Sequence, residues 1–176
     1  MSNIKVEICK TQAEIEEAFN IRLAVFTKEY DQVANELIDD ILDNHAIQLL
    51  ARDEDGSAVG SVRLQPYPQD IEKLEARALR PATEEETVKL FDGIEGGRFA
   101  NLAVKPSARN KGVAATLIKF CEDYIKARAK PGTSYIRFRS HYRIHPLYIA
   151  KFGYAVDSER FTTSWNQDLV WMYKKL

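Results

Sequence analysis

One amphipathic helix pattern limits the folds that are open to this chain. Between residues 112 and 129, apolar side chains recur at spacings of three, four and seven, which is the stripe of a helix packed on a sheet. Residues 98–104 before it have the apolar pattern of a central strand, and Pro131-Gly132 ends the helix. A chain organised around such a unit is predicted to form a layered α/β domain.

Weaker patterns extend this sheet on both sides. Thr11 and Glu14 form a capping-box signature for a helix that continues to about residue 30, and residues 31–44 are compatible with a short helix or an ordered loop. Asp53-Glu54-Asp55-Gly56 indicates a hairpin turn. The remaining predicted elements are strands at 4–8, 46–52, 58–65, 134–138, 153–156 and 168–173, and a short helix at 146–151.

Residues 67–95 depart from the sheet pattern. They hold a charged stretch at 71–77 and a second capping-box signature, formed by Thr83 and Glu86. We expect a helical insertion within one domain that spans residues 1–176. A docking element for a partner protein and a solvated insert that borders a cleft are both compatible with this composition.

Composition narrows the class of protein. The chain has 176 residues, a net charge of -1 and 29% charged residues, which is ordinary for a folded domain and gives no support to nucleic-acid binding. No apolar run approaches the roughly 18 residues that span a bilayer, and the first residues lack a signal-peptide pattern. We therefore expect a cytoplasmic protein with no membrane partner. Cys9 and Cys121 fit buried, reduced thiols or, alternatively, an acyl-carrying nucleophile.

A basic loop lies between the central strand and the amphipathic helix. The loop and the first residues of the helix read Arg109-Asn110-Lys111-Gly112-Val113-Ala114. Backbone N–H groups at a helix start lack intrahelical partners, and the helix dipole favours an anion there. Gly112 would let the backbone approach a ligand, while Arg109 and Lys111 would add charge. The residues alone indicate a phosphate-containing ligand, or a charged loop in which the glycine only permits the turn.

Two motifs in order resemble a known family. The segment from Arg109 to Ala114 is similar to the R/Q-x-x-G-x-G/A loop of the GNAT acetyltransferases, and residues 145–154 resemble that family's A-x-x-(F/L)-Y-x-K-x-G-F element. Residues 21–26, His45 and the closing Val170-Trp171-Met172 are similar to the ElaA-like branch. The resemblance covers nearly the whole chain except the insertion. It implies the GNAT fold, a single mixed twisted β-sheet flanked by helices on both faces.

The resemblance also implies roles for particular residues. The co-substrate would be acetyl-CoA, with no metal. The residues that would contact it are Leu102, Ala103 and Val104 along the pantetheine and Arg109, Asn110, Lys111, Gly112, Val113 and Ala114 at the pyrophosphate. Tyr148 would donate a proton to the departing thiolate, because a phenol near that group can act as a general acid. Phe26, Glu29, Tyr30 and His45 would contact the acceptor.

The general base stays open at this point. Glu29, Asp39, His45 and His141 are candidates, and His141 is the catalytic choice because a histidine can take a proton near neutral pH. Ser140-His141 occupies the place where ElaA-like sequences often carry Ala-Gln. His141 is surrounded in the sequence by Arg137, Arg139 and Arg143. This basic cluster is compatible with a site for an anionic substrate or the CoA 3′-phosphate, and equally with a solvated strand end.

Three functions remain to be separated. The leading one is acetyl transfer from acetyl-CoA to a primary amine, on a small molecule or peptide, by direct attack in a ternary complex. The others are a catalytically silent acyl-CoA sensor and a partner-binding protein on the same fold. Homodimers are common in the superfamily, and two-fold pairing is the general default for oligomers.

Overall fold

The computed structural model describes residues 3–30, 40–74, 79–164 and 166–176. In these ranges the elements are β1 Lys5–Ile8, α1 Gln12–Tyr30, α2 Asp40–Asn44, β2 Ile47–Arg52, β3 Ala58–Tyr67, α3 Glu84–Phe91, β4 Gly96–Val104, α4 Val113–Lys126, β5 Tyr135–His141, α5 His145–Phe152, β6 Ala155–Val156, β7 Phe161–Thr162 and β8 Asp168–Lys175. Short 3-10 turns lie at Ile71–Lys73 and Pro106–Ala108. Within these ranges no helix has the length and apolarity needed to span a bilayer.

All strands of the described ranges join one mixed sheet. Its order is β1-β2-β3-β4-β5-β8-β6, with β7 paired to β8. The β4–β5 neighbours are parallel, while the other pairs are antiparallel. The prediction of a mixed α/β sheet flanked by helices is therefore confirmed.

The helices divide the apolar core into two layers. On one face, α4 buries Leu117, Ile118, Cys121 and Ile125 against the sheet. On the other face, α1 buries Ile15, Ala18 and Ile21 in a second cluster that includes Leu50. Leu49 and Leu50 belong to different clusters, because successive side chains of a strand point to opposite faces. Each face of the sheet is thus covered mainly by one helix, α4 on one side and α1 on the other.

Local signals in the sequence produce the expected helix starts. The Glu14 amide donates to Thr11 Oγ1 at 3.3 Å and the Thr11 amide donates to Glu14 Oε2 at 2.9 Å. Thr83 and Glu86 make the same reciprocal pair at the start of α3. The backbone bonds that Glu14 accepts lower the pKa of its carboxyl. Both capping boxes are confirmed.

Several boundaries differ from the sequence pattern. β3 continues to Tyr67 and β5 continues to His141, because pairing with neighbouring strands extends elements beyond their apolar core. β7 was not predicted, since a two-residue strand carries no periodic signal. In the 67–95 insertion, the described helical parts are the turn at Ile71–Lys73 and α3. Residues 75–78 lie outside the described ranges.

Gly97 fixes how closely α4 approaches the sheet. A Cβ atom at Gly97 would lie 2.4 Å from the side chain of Ile125, so a larger residue at this position would displace that side chain from the core. Gly97 also forms the register pair between β4 and β5, opposite Ile136. The same residue therefore sets the depth of the helix and the start of the parallel pairing.

Leu117 tests the layer formed by α4. Leu117→Ala removes a fully buried side chain (0% exposed), so we expect the free energy of unfolding to fall by about 2–5 kcal/mol. The control is Leu23→Ala on α1, where the side chain is 39% exposed and the loss should stay near 0.5 kcal/mol. Urea unfolding of both variants measures the difference. Equal losses would contradict this packing.

Candidate functional site

The parallel strands β4 and β5 meet near their starts and are not paired along the rest of their length. Gly97 and Ile136 form their register pair, whereas β3 stays paired with β4 as far as Val104. Just beyond the stacked rings of Phe99 and Phe138, whose centroids are 4.1 Å apart, the two strands have no further register pair. A gap therefore opens between β4 and β5 toward their carboxyl ends.

A β-bulge lies at this gap. Ser61 pairs with Ala103 and Arg63 with Ala100, so two residues of β4, Asn101 and Leu102, oppose a single residue of β3. Asn101 has a φ of 54°, a left-handed conformation that asparagine tolerates better than most residues. Bulges redirect the backbone beside functional sites. Leu102 was predicted to contact the pantetheine, but no local sequence pattern indicates the bulge.

The loop that follows β4 ends in an uncapped helix start. Gly112 is the N-cap of α4, with no side-chain capping bond, and the first turn is closed by the Thr116 amide bonding to the Gly112 oxygen at 3.0 Å. The amides of Val113, Ala114 and Ala115 precede that bond, so helix geometry leaves them without an intrahelical acceptor. Together with the helix dipole, these amides favour an anion in front of α4.

Gly112 leaves open space in front of these amides. Its φ is 87°, and a Cβ atom placed there would meet nothing within 4 Å. A larger side chain would be strained at this φ and would project into the volume where an anion would lie. Asn110, with a φ of 63°, also adopts a left-handed conformation. The loop is thus shaped by two such residues around an accessible backbone.

Arg109 holds the loop to the rest of the fold. Its guanidinium pairs with the Glu29 carboxylate, and its Nε and Nη2 donate to the Val104 oxygen at 3.3 and 3.2 Å. The charge of Arg109 is therefore shared with Glu29, and Val104 offers an oxygen that already accepts bonds. The structure brings together Glu29, Val104 and Arg109, three residues that the sequence analysis had assigned to separate contacts.

Tyr148 lies beside the gap on the α4 face. It is 7% exposed, and its ring centroid is 4.8 Å from Phe138 of β5 and 6.4 Å from Phe99 of β4. The start of α5, with Pro146 in its first turn, orients the residue toward the sheet. The Tyr148 ring therefore packs against the aromatic pair that Phe99 and Phe138 form across β4 and β5.

His141 is the last residue of β5, five residues beyond the Ile136 that pairs with β4. Burial, followed by the charge of Arg143, lowers the pKa of its imidazole, although Asp168 opposes the shift. The imidazole is therefore mostly neutral at pH 7, and a neutral imidazole can accept a proton. His141 and Tyr148 flank the gap through β5 and α5.

Other predicted contacts lie elsewhere. His45 precedes β2, and its oxygen accepts a bond from Gln69 at 3.2 Å. That end of the sheet is opposite to His141, so the two histidines are not brought together. Phe26 is buried in the α1 layer. The Tyr30 side chain and Asp39 lie outside the described part of the chain.

Both cysteines are buried and unpaired in disulfides. Burial raises the pKa of the Cys9 thiol to about 12 and also raises that of Cys121. A thiol must ionise to act as a nucleophile. The burial of both residues favours the structural role over acyl transfer through cysteine.

A buried polar network was missed by the sequence analysis. Arg22 of α1 is fully buried and bonds Gln48 at 2.6 Å and Ser61 at 3.1 Å, while the Asp43 carboxylate lies 3.6 Å from Arg22 and 3.1 Å from Arg63. A signal was available, because Ser61, Arg63 and Gln65 alternate with apolar residues in a strand buried on both faces. Among the described residues, no group of three or more His, Cys, Asp or Glu side chains is placed to hold a metal.

Comparison with known proteins gives a consistent result. The model of the acetyltransferase (GNAT) family matches residues 15–154. A protein provisionally named as an N-acetyltransferase from Lactobacillus plantarum has a similar structure over 98% of both chains, with a TM-score of 0.73 and 16% identity. Escherichia coli ElaA is similar over 99% of this chain and 100% of its own, with a TM-score of 0.65 and 12% identity.

A third neighbour is FeeM, an N-acyl amino acid synthase from uncultured soil microbes. The similarity covers 98% of this chain and 91% of FeeM, with a TM-score of 0.68 and 9% identity. At these identities the likeness is one of fold. No curated protein sequence matches the chain.

Proposed function

Because the chain belongs to the acetyltransferase (GNAT) family, we propose that it transfers an acetyl group from acetyl-CoA to a primary amine by direct attack in a ternary complex. The observation that carries this proposal is the uncapped start of α4 with open space at Gly112, next to the gap between β4 and β5. The amides at the start of α4, which lack an intrahelical acceptor, would bind a pyrophosphate, and the unpaired parts of β4 and β5 would accommodate an extended pantetheine.

The loop residues suit this co-substrate. The amides of Val113 and Ala114 would hold the pyrophosphate, and Lys111 in the same loop adds a positive charge. Arg109 would act mainly by fixing the loop to Glu29 and Val104. The backbone of Leu102 and Ala103 at the bulge would guide the pantetheine through the gap. When bound, acetyl-CoA supplies a thioester carbonyl as the electrophile.

Two residues would manage the protons of the reaction. The acceptor nitrogen forms a bond to the carbonyl carbon, the C–S bond breaks, and the sulfur leaves with its electron pair. Tyr148 would give its phenolic proton to that sulfur, and His141 would take the proton that the amine loses. The lowered pKa of His141 keeps it ready to accept a proton at pH 7.

Replacing Gly112 tests the phosphate loop. We expect Gly112→Val to weaken CoA binding about tenfold or more, equivalent to roughly 1.4 kcal/mol, because the side chain would occupy the space in front of the amides. The control is Gly132→Val, at the other end of α4, which has a φ of 79° and equally open surroundings. Calorimetric titration with CoA and acetyl-CoA measures both. Equal affinity in the two variants would refute the loop assignment.

Removing one hydroxyl tests the general acid. We expect Tyr148→Phe to lower kcat by about ten- to a thousand-fold with CoA affinity nearly unchanged. Tyr154→Phe is the matched control, because Tyr154 packs on the same Phe138 ring but donates to Glu122 at 2.9 Å. Steady-state thiol release gives the comparison. Wild-type turnover in Tyr148→Phe would assign the proton to water or to another group.

The pH profile tests His141. Since the pKa of His141 is lowered, wild-type kcat should stay level down to a pH below about 6.5 and fall only as the imidazole becomes protonated. In His141→Gln, kcat should drop about a hundredfold and lose this acid limb. His145→Gln, whose ring bonds to the Tyr142 oxygen at the start of α5, should keep it. An unchanged limb in His141→Gln would exclude His141 as the base.

A further inference from the structure

Four arginines lie on the α1 face of the central strands. Strand alternation places them there, since their neighbours Val62, Phe99 and Phe138 belong to the apolar cluster of the α4 face. We call this group the arginine patch; it consists of Arg63 on β3, Arg98 on β4, and Arg137 and Arg139 on β5. Trp171 of β8 is paired with Arg139 in the sheet and borders the arginine patch.

A small residue, Ala100, lies between Arg63 and Arg139 in the sheet. Arg63 is paired with Ala100 across β3 and β4, and the register of Gly97 with Ile136 places Ala100 level with Arg139 on β5. Ala100 thus places a small side chain between the sheet positions of Arg63 and Arg139. The Arg98 and Arg139 guanidinium carbons lie 5.3 and 5.9 Å from the Trp171 ring centre.

Within the described ranges, the guanidinium groups of Arg63 and Arg139 are met by a single carboxylate, that of Asp43. Arg63 is 4% exposed and shares the single Asp43 carboxylate with the buried Arg22. Its Nε is buried and meets no hydrogen-bond acceptor among the described residues. A buried guanidinium without a full set of acceptors is costly. An anion between Arg63 and Arg139 would reduce that cost.

Arg139 has no carboxylate partner within the described ranges. By contrast, its neighbour Arg137 is paired with Asp157 at 2.6 Å and donates to the Tyr67 hydroxyl at 2.8 Å. Partial burial, followed by the charge of Arg63, lowers the pKa of Arg139. The two like charges therefore act on each other across Ala100, which is the arrangement that a shared anion would stabilise.

The position of the patch separates it from the phosphate loop. The loop opens α4, and Tyr148 packs in the α4-side cluster, whereas the patch faces α1. The gap between β4 and β5 joins the two faces. Arg139 precedes His141 by two residues, about 7 Å along a strand, so an anion at the patch lies within reach of the reacting centre without occupying the CoA side.

We propose that the acceptor is a small amine that carries a carboxylate, such as an amino acid, and that Arg139 and Arg63 bind that carboxylate. A guanidinium offers two parallel N–H donors that match a carboxylate. With the carboxylate held there, the amine of a compact acceptor reaches the gap beside His141. The assignment rests on the proposed acetyl transfer and names the substrate class of that reaction.

Matched acceptors test the carboxylate. Glycine, leucine and phenylalanine are compared with their carboxamides in acetyl transfer from acetyl-CoA, using wild type, Arg139→Gln and the control Arg128→Gln. Arg128 lies beyond α4 with its guanidinium over the Tyr124 ring, on the other face. We expect kcat/KM for the acids to fall ten- to a hundredfold in Arg139→Gln and to stay at the wild-type level in Arg128→Gln. For the carboxamides, kcat/KM should change less than twofold in either variant. Acids no better than amides in wild type, or an equal loss for both, would overturn the proposal.

A binding measurement tests the arginine patch independently of acetyl transfer. N-acetylleucine and its carboxamide are titrated into wild type and Arg139→Gln, because these probes need no catalysis. Binding of the acid that is at least tenfold tighter than the amide, and lost in the variant, supports the patch even if no amine is acetylated. In that case only the proposed transfer fails. Equal binding of acid and amide in wild type would overturn the patch even if acetyl transfer to other amines is observed.

Discussion

β4 and β5 separate beyond a single register pair, and the candidate site is built around this separation. Strand edges expose N–H and C=O groups that require partners, and here two neighbouring strands are paired at Gly97–Ile136 alone. Near that pair, Phe99 and Phe138 stack at 4.1 Å and hold the strands together. Beyond it, the bulge at Asn101 and Leu102 turns the backbone of β4. The resulting gap connects the two faces of the sheet.

The two faces of the sheet that meet at this gap carry different chemical groups. The α4 face holds the uncapped helix start and the aromatic cluster around Tyr148, which suit a phosphate ligand and a departing thiolate. The α1 face holds the arginine patch, which suits an anionic group on the acceptor. His141 at the end of β5 lies where the faces meet. The proposed reaction thus needs a sheet that separates the co-substrate from the acceptor and connects them at the gap between β4 and β5.

Contacts across the fold give several residues a different meaning from the one their motif suggests. Arg109 belongs to the loop motif, yet its guanidinium is bound to Glu29 and Val104. Glu29 was a candidate base, but the same ion pair occupies its carboxylate. Arg22 belongs to a resembling segment with no assigned role, and it organises the buried network with Asp43. Such pairings join residues far apart in sequence, and no local pattern encodes them.

Features that depend on local physics could be predicted from the sequence. The capping boxes at Thr11 and Thr83, the stripe of α4 and the glycine loop arise from spacing and backbone preference within a few residues. The bulge in β4, the separation of β4 from β5 and the arginine patch arise only when the strands assemble into the sheet. Those features follow from sheet register, which sums many weak cross-strand contacts. Register brings Arg63, Ala100 and Arg139 level, and that alignment is absent from any single stretch of the chain.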